Sequence, residues 1–170
     1  TTVTAPMATG RECCTELSAL SDVSTVLHLI SQHKISVSEK TKLPTTASIK
    51  KIGEVLERGD FFPPEEKKSK WHPVPGPVKA FAWPVLMQAG GLAISRGAKL
   101  ELTKEGERSV RERPEHTLKL LFMKWIHADI LDEFSRIEAI KGQRGKGKRH
   151  FSSPAYRRKM IMDALRQAPI

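Results

Sequence analysis

The sequence predicts a mainly α-helical fold that carries one small β-hairpin. In several segments apolar residues recur at three- and four-residue spacing, which places them on one face of a helix. A single stretch, around residues 92–103, alternates apolar and polar side chains as two short strands joined by a turn would. A hydrophobic share of 39% in 170 residues is sufficient for a packed core.

Three regions are predicted along the chain. Residues 1–16 are rich in threonine and aperiodic, so we expect a loose N-terminal lead-in. Residues 17–113 hold the hairpin and its flanking helices in one domain, interrupted at 61–78 by a proline-rich insertion. Residues 114–170 are predicted to form a helical region with a basic loop at 141–152. The opening Thr1, and an end just past a predicted helix, favour an excerpt of a longer chain.

The first domain is predicted to start with a helix that ends near His33 and leads into a short extended piece. Pro44 disfavours helical geometry in the residue before it, and the threonines that follow can cap a second helix over 45–58. A third helix, over 79–89, is almost entirely apolar and should therefore be buried. In the hairpin we expect Leu92 and Ile94 on the apolar face, a turn at Arg96-Gly97, and then a short helix capped by Thr103.

The last third is predicted to contain two helices. The first covers residues 116–139 and is apolar on more than one face, so it should lie centrally. The second begins at Ser153-Pro154, a strong helix-start signal. Its buried stripe is predicted to consist of Tyr156, Met160, Ile161, Ala164 and Leu165.

Charge indicates the class of partner. Lys and Arg number 29 against 19 acids, a net charge of +10. Residues 1–60 hold seven bases and seven acids, residues 61–113 ten and six, and residues 114–170 twelve and six. No acid lies between Glu138 and Asp163, and a run of one sign attracts polyanions. Such a run can also be a solvated tail, but the excess over the whole chain favours nucleic acid.

The order helix, extended piece, helix, buried helix, hairpin, helix is typical of a winged helix-turn-helix, followed here by the C-terminal helical segment. Gly90-Gly91-Leu92, the hairpin, and the run Leu100-Glu101-Leu102-Thr103-Lys104-Glu105-Gly106 resemble the small turn, wing and LTxxG ending of winged-helix DNA-binding domains. That resemblance implies a DNA-binding module in which one helix enters the major groove and the wing follows the backbone or minor groove.

A looser resemblance spans roughly residues 35–165. Lys42-Leu43-Pro44 before an Ile-Lys-Lys-Ile helix, the segment from Phe81 to Leu92, and the segment from Asp132 to Ile137 are similar to bacterial proteins related to the N-terminal region of XPB-type helicases. The resemblance implies a helicase-associated, DNA-linked accessory region. It implies no ATPase, because the motor motifs are absent from these 170 residues.

The residues predicted to bind nucleic acid are all basic. The 79–89 helix is too apolar to read base edges, so we favour the 45–58 helix with Lys50 and Lys51, and the wing with Arg96 and Lys99. The other predicted contacts lie in the acid-free stretch: Arg144, Lys146, Lys148, Arg149, Arg157 and Arg158. Contacts of this kind to phosphates position a protein without specifying a sequence.

No catalytic or metal site is predicted. Residues 142–149 match a phosphate-binding loop except that Arg149 replaces the Ser or Thr that holds magnesium. His127 and the acids Asp132 and Glu133 diverge around a helix, so they do not form a metal site. We expect no enzyme, no cofactor and no small-molecule substrate. No apolar run approaches the ~20 residues that span a bilayer, and two adjacent cysteines, which cannot staple a fold, favour the cytoplasm.

Two functions are compatible with the sequence. The first is a non-catalytic module that binds nucleic acid, DNA rather than RNA, as part of a larger protein or complex. The second is a protein-interaction or assembly domain of the same winged fold within a larger machine, which the proline-rich insertion favours.

Overall fold

The computed structural model describes residues 15–61, 76–136 and 152–168. Within them the chain is mainly helical with one two-stranded antiparallel hairpin, so the predicted class of helices plus a small hairpin is confirmed. The elements are α1 (Thr15–Ser31), α2 (Thr46–Gly53), α3 (Lys79–Ala89), β1 (Ala93–Arg96), β2 (Lys99–Leu102), α4 (Lys104–Ser109), α5 (Pro114–Trp125), a 3₁₀ turn (Glu133–Arg136) and α6 (Pro154–Gln167).

One apolar core holds α1, α2, α3 and the hairpin together. The predicted periodicity of α1 is confirmed at Val23, Val26, Leu27 and Ile30, all of which are buried. α5 packs across α1 and contributes Leu121 to the same core. The remaining buried members are Leu29, Ile35, Val37, Ile52, Leu56, Ala80, Trp83, Met87, Leu92, Ala93 and Leu100.

The predicted extended piece lies along the outer edge of β2. The backbone N–H of Val37 donates to the carbonyl of Ala98 at 2.9 Å, and that of Leu100 donates to the carbonyl of Ile35 at 3.0 Å. Ser36 forms an antiparallel bridge with Lys99. The segment between α1 and α2 therefore adds a short, strand-like third edge to the hairpin, beside β2.

Of the two residues predicted on the apolar face, Leu92 is buried and Ile94 is not. Ala93 pairs with Leu102 and Ile94 pairs with Glu101, so Ile94 faces outward and is 51% exposed. Successive residues of a strand face opposite sides, but Leu92 precedes the strand. It lies in the turn that ends α3, where its N–H donates to the carbonyl of Met87. The burial of Leu92 therefore does not indicate which residues of β1 face inward.

Two predicted helices end earlier than expected. α2 stops at Gly53 rather than near residue 58. The chain turns there because the buried Asp22 carboxylate accepts the N–H of Glu57, which fixes a non-helical segment that still buries Leu56. α5 stops at Trp125 rather than at residue 139. The carbonyls of residues 125, 128 and 131, which a continuing helix would use, accept hydrogen bonds from a side chain of α6.

The insertion interrupts the sequence without separating α2 from α3. The Asp60 carboxylate accepts the N–H groups of Val78 and Ala80, each at 2.7 Å. The ammonium of Lys79 donates to the carbonyl of Gly59 at 3.1 Å and pairs with the buried Asp22 carboxylate at 2.7 Å. These contacts hold together the two ends that flank the insertion, and α2 packs on α3.

α6 begins where the sequence predicts and buries a different set of residues. The Ser153 hydroxyl accepts the N–H of Tyr156 and Pro154 occupies the first turn. The predicted buried stripe is wrong, because its large members are more than half exposed. The buried side chain of α6 is instead Arg158. Polar contacts near its N-terminus hold this helix to the protein, rather than an apolar face.

Candidate nucleic-acid interface

Two lysines lie on the outer side of α2. Thr45 caps the helix by accepting the N–H of Ser48 at 3.3 Å, and the Ser48 hydroxyl in turn bonds both the N–H and the carbonyl of Ser36. With Ile52 turned into the core, Lys50 and Lys51 are exposed to solvent. Neither forms an ion pair with any residue in the part of the chain that the structure describes. Both ammonium groups are therefore available to an anionic partner.

The hairpin brings the other two predicted cations of the first domain side by side. Arg96 and Lys99 are directly opposite each other in the strand register, next to the turn at Gly97. The Nε of Arg96 lies 3.1 Å from the carboxylate of Glu101, and both groups are solvent-accessible. Because an exposed ion pair contributes little, Arg96 can exchange this carboxylate for a phosphate at small cost.

α3 lies between α2 and the hairpin in the order of elements. Most of its side chains are buried: Ala80, Phe81, Trp83, Pro84, Val85 and Met87. One side belongs to the main core. On the other, Phe81 and Val85 pack with Leu131 from the segment after α5. The segment after α5 thus covers the second side of α3.

Arg158 lies inside the protein, so its assignment to nucleic acid is wrong. Its side chain is 3% exposed and its guanidinium lies 4.6 Å from the centre of the Trp125 ring. The Nε donates to the Glu133 carboxylate at 2.8 Å. The terminal nitrogens donate to the carbonyls of Trp125, Ala128 and Leu131. Every part of the guanidinium is used, and none faces solvent.

Arg157 is also held by the protein. It pairs with the Asp132 carboxylate at 2.6 Å and lies over the Phe134 ring at 4.3 Å. Its side chain is largely covered. The sequence could not show these pairs, because the acids precede the arginines by 25 residues and the run near Arg157 contains none. Among the described cations of this stretch, Lys159 is exposed and pairs with Asp163 of its own helix.

The remaining predicted cations, Arg144, Lys146, Lys148 and Arg149, lie outside the described residues. Sequence reasoning overlooked other exposed cations, among them Lys104, Arg111, Lys119 and Lys124. These four form no ion pair within the ranges 15–61, 76–136 and 152–168. Their charge was the one signal for Lys119 and Lys124, because the apolar residues of α5 fall on more than one face and leave no single polar side.

An apolar cavity of about 320 Å³ lies between α3, α5 and the 3₁₀ turn. Its one acidic group, Glu133, accepts hydrogen bonds from the Trp125 indole N–H at 3.1 Å and from Arg158. Across the described segments, no three His, Cys, Asp or Glu side chains are grouped to hold a metal ion. No helix among these segments has the length and apolar character needed to cross a membrane.

Comparisons of the chain with protein-family models, with curated proteins and with solved structures found no match.

Proposed function

We propose that the protein is a non-catalytic nucleic-acid-binding module, with DNA as its ligand, built as a winged-helix scaffold plus a cationic arm. The scaffold comprises α1 to α4 with the hairpin, and the arm is the basic run of residues 139–151. The order of elements supports the winged interpretation, as does the short edge that pairs Ser36 with Lys99.

The observation that carries this proposal is the distribution of positive charge. The chain has a net charge of +10, and the arm contains five bases and no acid. Lys50, Lys51 and Lys99 add exposed ammonium groups without ion pairs among the described residues. A surface of this kind attracts a polyanion and supplies the sequence-independent part of its binding.

The burial of α3 argues for contacts to the backbone rather than to bases. Reading a base edge needs a helix or strand in a groove, and α3 is covered on two sides. Phosphate contacts from α2, the hairpin and the arm do not need such access. We therefore expect binding with little preference for sequence.

Charge reversal in the arm tests this proposal. We expect the triple variant Lys146→Glu, Lys148→Glu, Arg149→Glu to bind duplex DNA at least about tenfold more weakly at low salt, since three phosphate contacts become repulsive. Fluorescence anisotropy with a labelled duplex measures the change. The control reverses Lys104, Arg111 and Lys119, which are exposed and change the net charge equally. Equal losses in the two variants would show that net charge alone drives binding and would contradict the role of the arm.

A second candidate function is a protein-interaction or assembly domain. One observation favours it, namely the apolar side chains that α6 leaves exposed. An exposed apolar patch commonly marks a surface that a partner covers. The two candidates separate in the arm variant, because a partner bound through α6 would still be bound after the arm charges are reversed.

A further inference from the structure

The apolar cavity between α3, α5 and the 3₁₀ turn is built from side chains of three parts of the chain. α3 provides Trp83 and Leu86, α5 provides Leu118, Leu121, Phe122 and Trp125, and the segment after α5 provides Leu131 and Glu133. The four residues of α5 are three and four positions apart, so they share one face of that helix. Trp83, Leu121 and Leu131 are buried, whereas Phe122 is 45% exposed, so the cavity opens to solvent beside Phe122.

Glu133 is the acidic side chain of this lining, and one of its two carboxylate oxygens has no partner among the described residues. Its contacts there all use Oε1, which accepts the indole N–H of Trp125 at 3.1 Å and lies 2.8 Å from Nε and 2.7 Å from Nη2 of Arg158. The Arg158 guanidinium also donates to the Trp125 carbonyl and lies over the Trp125 ring. The carboxylate and the ring are therefore held in place, while Oε2 remains able to accept a hydrogen bond.

We propose that this cavity binds an uncharged aromatic heterocycle of two fused rings, whose N–H donates to Oε2 of Glu133. A cavity of about 150 Å³ holds one benzene ring, so a volume of about 320 Å³ has room for two fused rings. Trp83, Phe122 and Trp125 supply aromatic surface, against which a flat ring packs favourably in offset or edge-to-face contact. Apolar walls with a single fixed polar group are typical of small-molecule sites.

The charges around the cavity favour a ligand without net charge. Arg158 already pairs with Glu133, so a cation entering these apolar walls would lose its hydration for little electrostatic gain. An anion would lie against the Glu133 carboxylate and be repelled. A neutral N–H meets neither cost, and its hydrogen bond to an ionised oxygen is stronger than one between neutral groups. This chemistry differs from the phosphate binding proposed above and does not depend on it.

Indole and benzofuran are the probes that test the site. The two molecules have nearly the same size and shape, but benzofuran carries an oxygen where indole carries its N–H. Nuclear magnetic resonance titration of the ¹⁵N-labelled full chain follows the indole N–H of Trp125. We expect indole to bind with a dissociation constant on the order of 0.1 mM, and benzofuran at least about fivefold more weakly. The absence of saturable shifts with indole, or equal affinity for the two probes, overturns the proposal.

Glu133→Gln tests the hydrogen bond to the ligand. Glutamine has one carbonyl oxygen, which Trp125 and Arg158 would occupy, and its amide donor would then face the N–H of indole. The preference for indole over benzofuran should therefore fall below about twofold. A general loosening of the site would weaken both probes alike and leave their ratio unchanged. A ratio equal to that of the wild type therefore overturns the role of Glu133.

Leu118→Trp tests the location of the site. The larger side chain lies on the cavity face of α5 and should fill the space, which abolishes saturable indole binding. Leu86→Phe fills the same space from α3 with a smaller change and should weaken binding as well. Met123→Trp is the matched control, because Met123 belongs to the same helix, is 54% exposed and lies outside the cavity lining.

The control should change the affinity for indole by less than about twofold. Far-ultraviolet circular dichroism checks that each variant keeps its helices. Indole binding that survives both cavity substitutions, or that falls equally in Met123→Trp, overturns the cavity as the binding site.

Discussion

Gly106→Ala is expected to destabilise the fold by about 3 kcal/mol or more. A Cβ at this position would lie 2.0 Å from the carbonyl oxygen of Leu92 and 3.0 Å from its carbonyl carbon. Both atoms belong to the backbone that links α3 to β1, and the Leu92 oxygen already accepts the N–H of Thr103. The clash therefore cannot be relieved by rotating a side chain. Either the hairpin or α4 must move.

Thermal unfolding measures this effect, and the midpoint should fall by roughly 6–12 °C for a chain of this length. Gly59→Ala provides the control. Gly59 has a φ of +64°, but no atom lies within 4 Å of the position that an added methyl group would take. Its substitution therefore costs only backbone strain, about 1–2 kcal/mol. If the Gly106 variant unfolds at the same temperature as the Gly59 variant or the wild type, the close packing of Gly106 on Leu92 is contradicted.

Arg158→Ala is expected to release α6 and the segment that follows α5. The substitution leaves the Glu133 carboxylate and the carbonyls of Trp125, Ala128 and Leu131 without their donor. Leaving a buried polar group without its hydrogen-bond partner typically costs about 1–3 kcal/mol, whereas the Glu133 carboxylate, at 42% side-chain exposure, can be hydrated. Because α6 contributes no side chain to the apolar core around α1, we expect this loss to appear as local opening. Amide hydrogen exchange should accelerate in α6 and around residues 126–133, while α1 keeps its protection.

Two further variants define the cause of this loss. Arg166 makes an exposed pair with Asp163, so Arg166→Ala should change stability by less than about 0.5 kcal/mol. Arg158→Lys keeps the charge but cannot direct donors in the fork that a guanidinium provides, and its effect should be intermediate. Exchange in α6 that is unchanged by Arg158→Ala would contradict the role of this side chain as the anchor of the helix.

Much of the fold could be predicted because local signals agree with the tertiary structure. These signals involve residues that are close in sequence. They are the apolar spacing of α1, the apolar run of α3 and the caps at Thr45, Thr103 and Ser153. The LTxxG pattern also has a local physical cause. The Thr103 hydroxyl accepts the N–H of Gly106 and donates to the carbonyl of Gly91, which fastens the end of the hairpin to the end of α3.

What could not be predicted depends on partners distant in sequence. The buried stripe expected for α6 was inferred from the spacing of its apolar residues. That spacing alone does not show whether another part of the protein covers them. The early end of α5 depends on Arg158, which lies 33 residues after Trp125. The same pairing removes Arg158 from the candidate interface. A basic run shows the sign of the charge, but it does not show which of its members already have carboxylate partners.

The candidate site changed for the same reason. The structure leaves Lys50, Lys51, Arg96 and Lys99 at the surface, as the sequence predicts. It buries Arg158, which therefore cannot belong to the candidate interface, and it largely covers Arg157. The proposed interface therefore consists of the scaffold cations together with the arm, and α6 is available for a different contact.

The salt dependence of DNA binding provides the sharpest test of the proposed nucleic-acid interface. If about five cations from the scaffold and arm each neutralise a phosphate, the logarithm of the association constant should fall with the logarithm of salt concentration with a slope of about −4.5. The full chain should also bind more tightly than a peptide of the arm, residues 139–151, at every salt concentration, because the scaffold adds its own contacts. A slope near zero, or affinity no greater than that of the peptide, would contradict the proposal that scaffold and arm bind nucleic acid together.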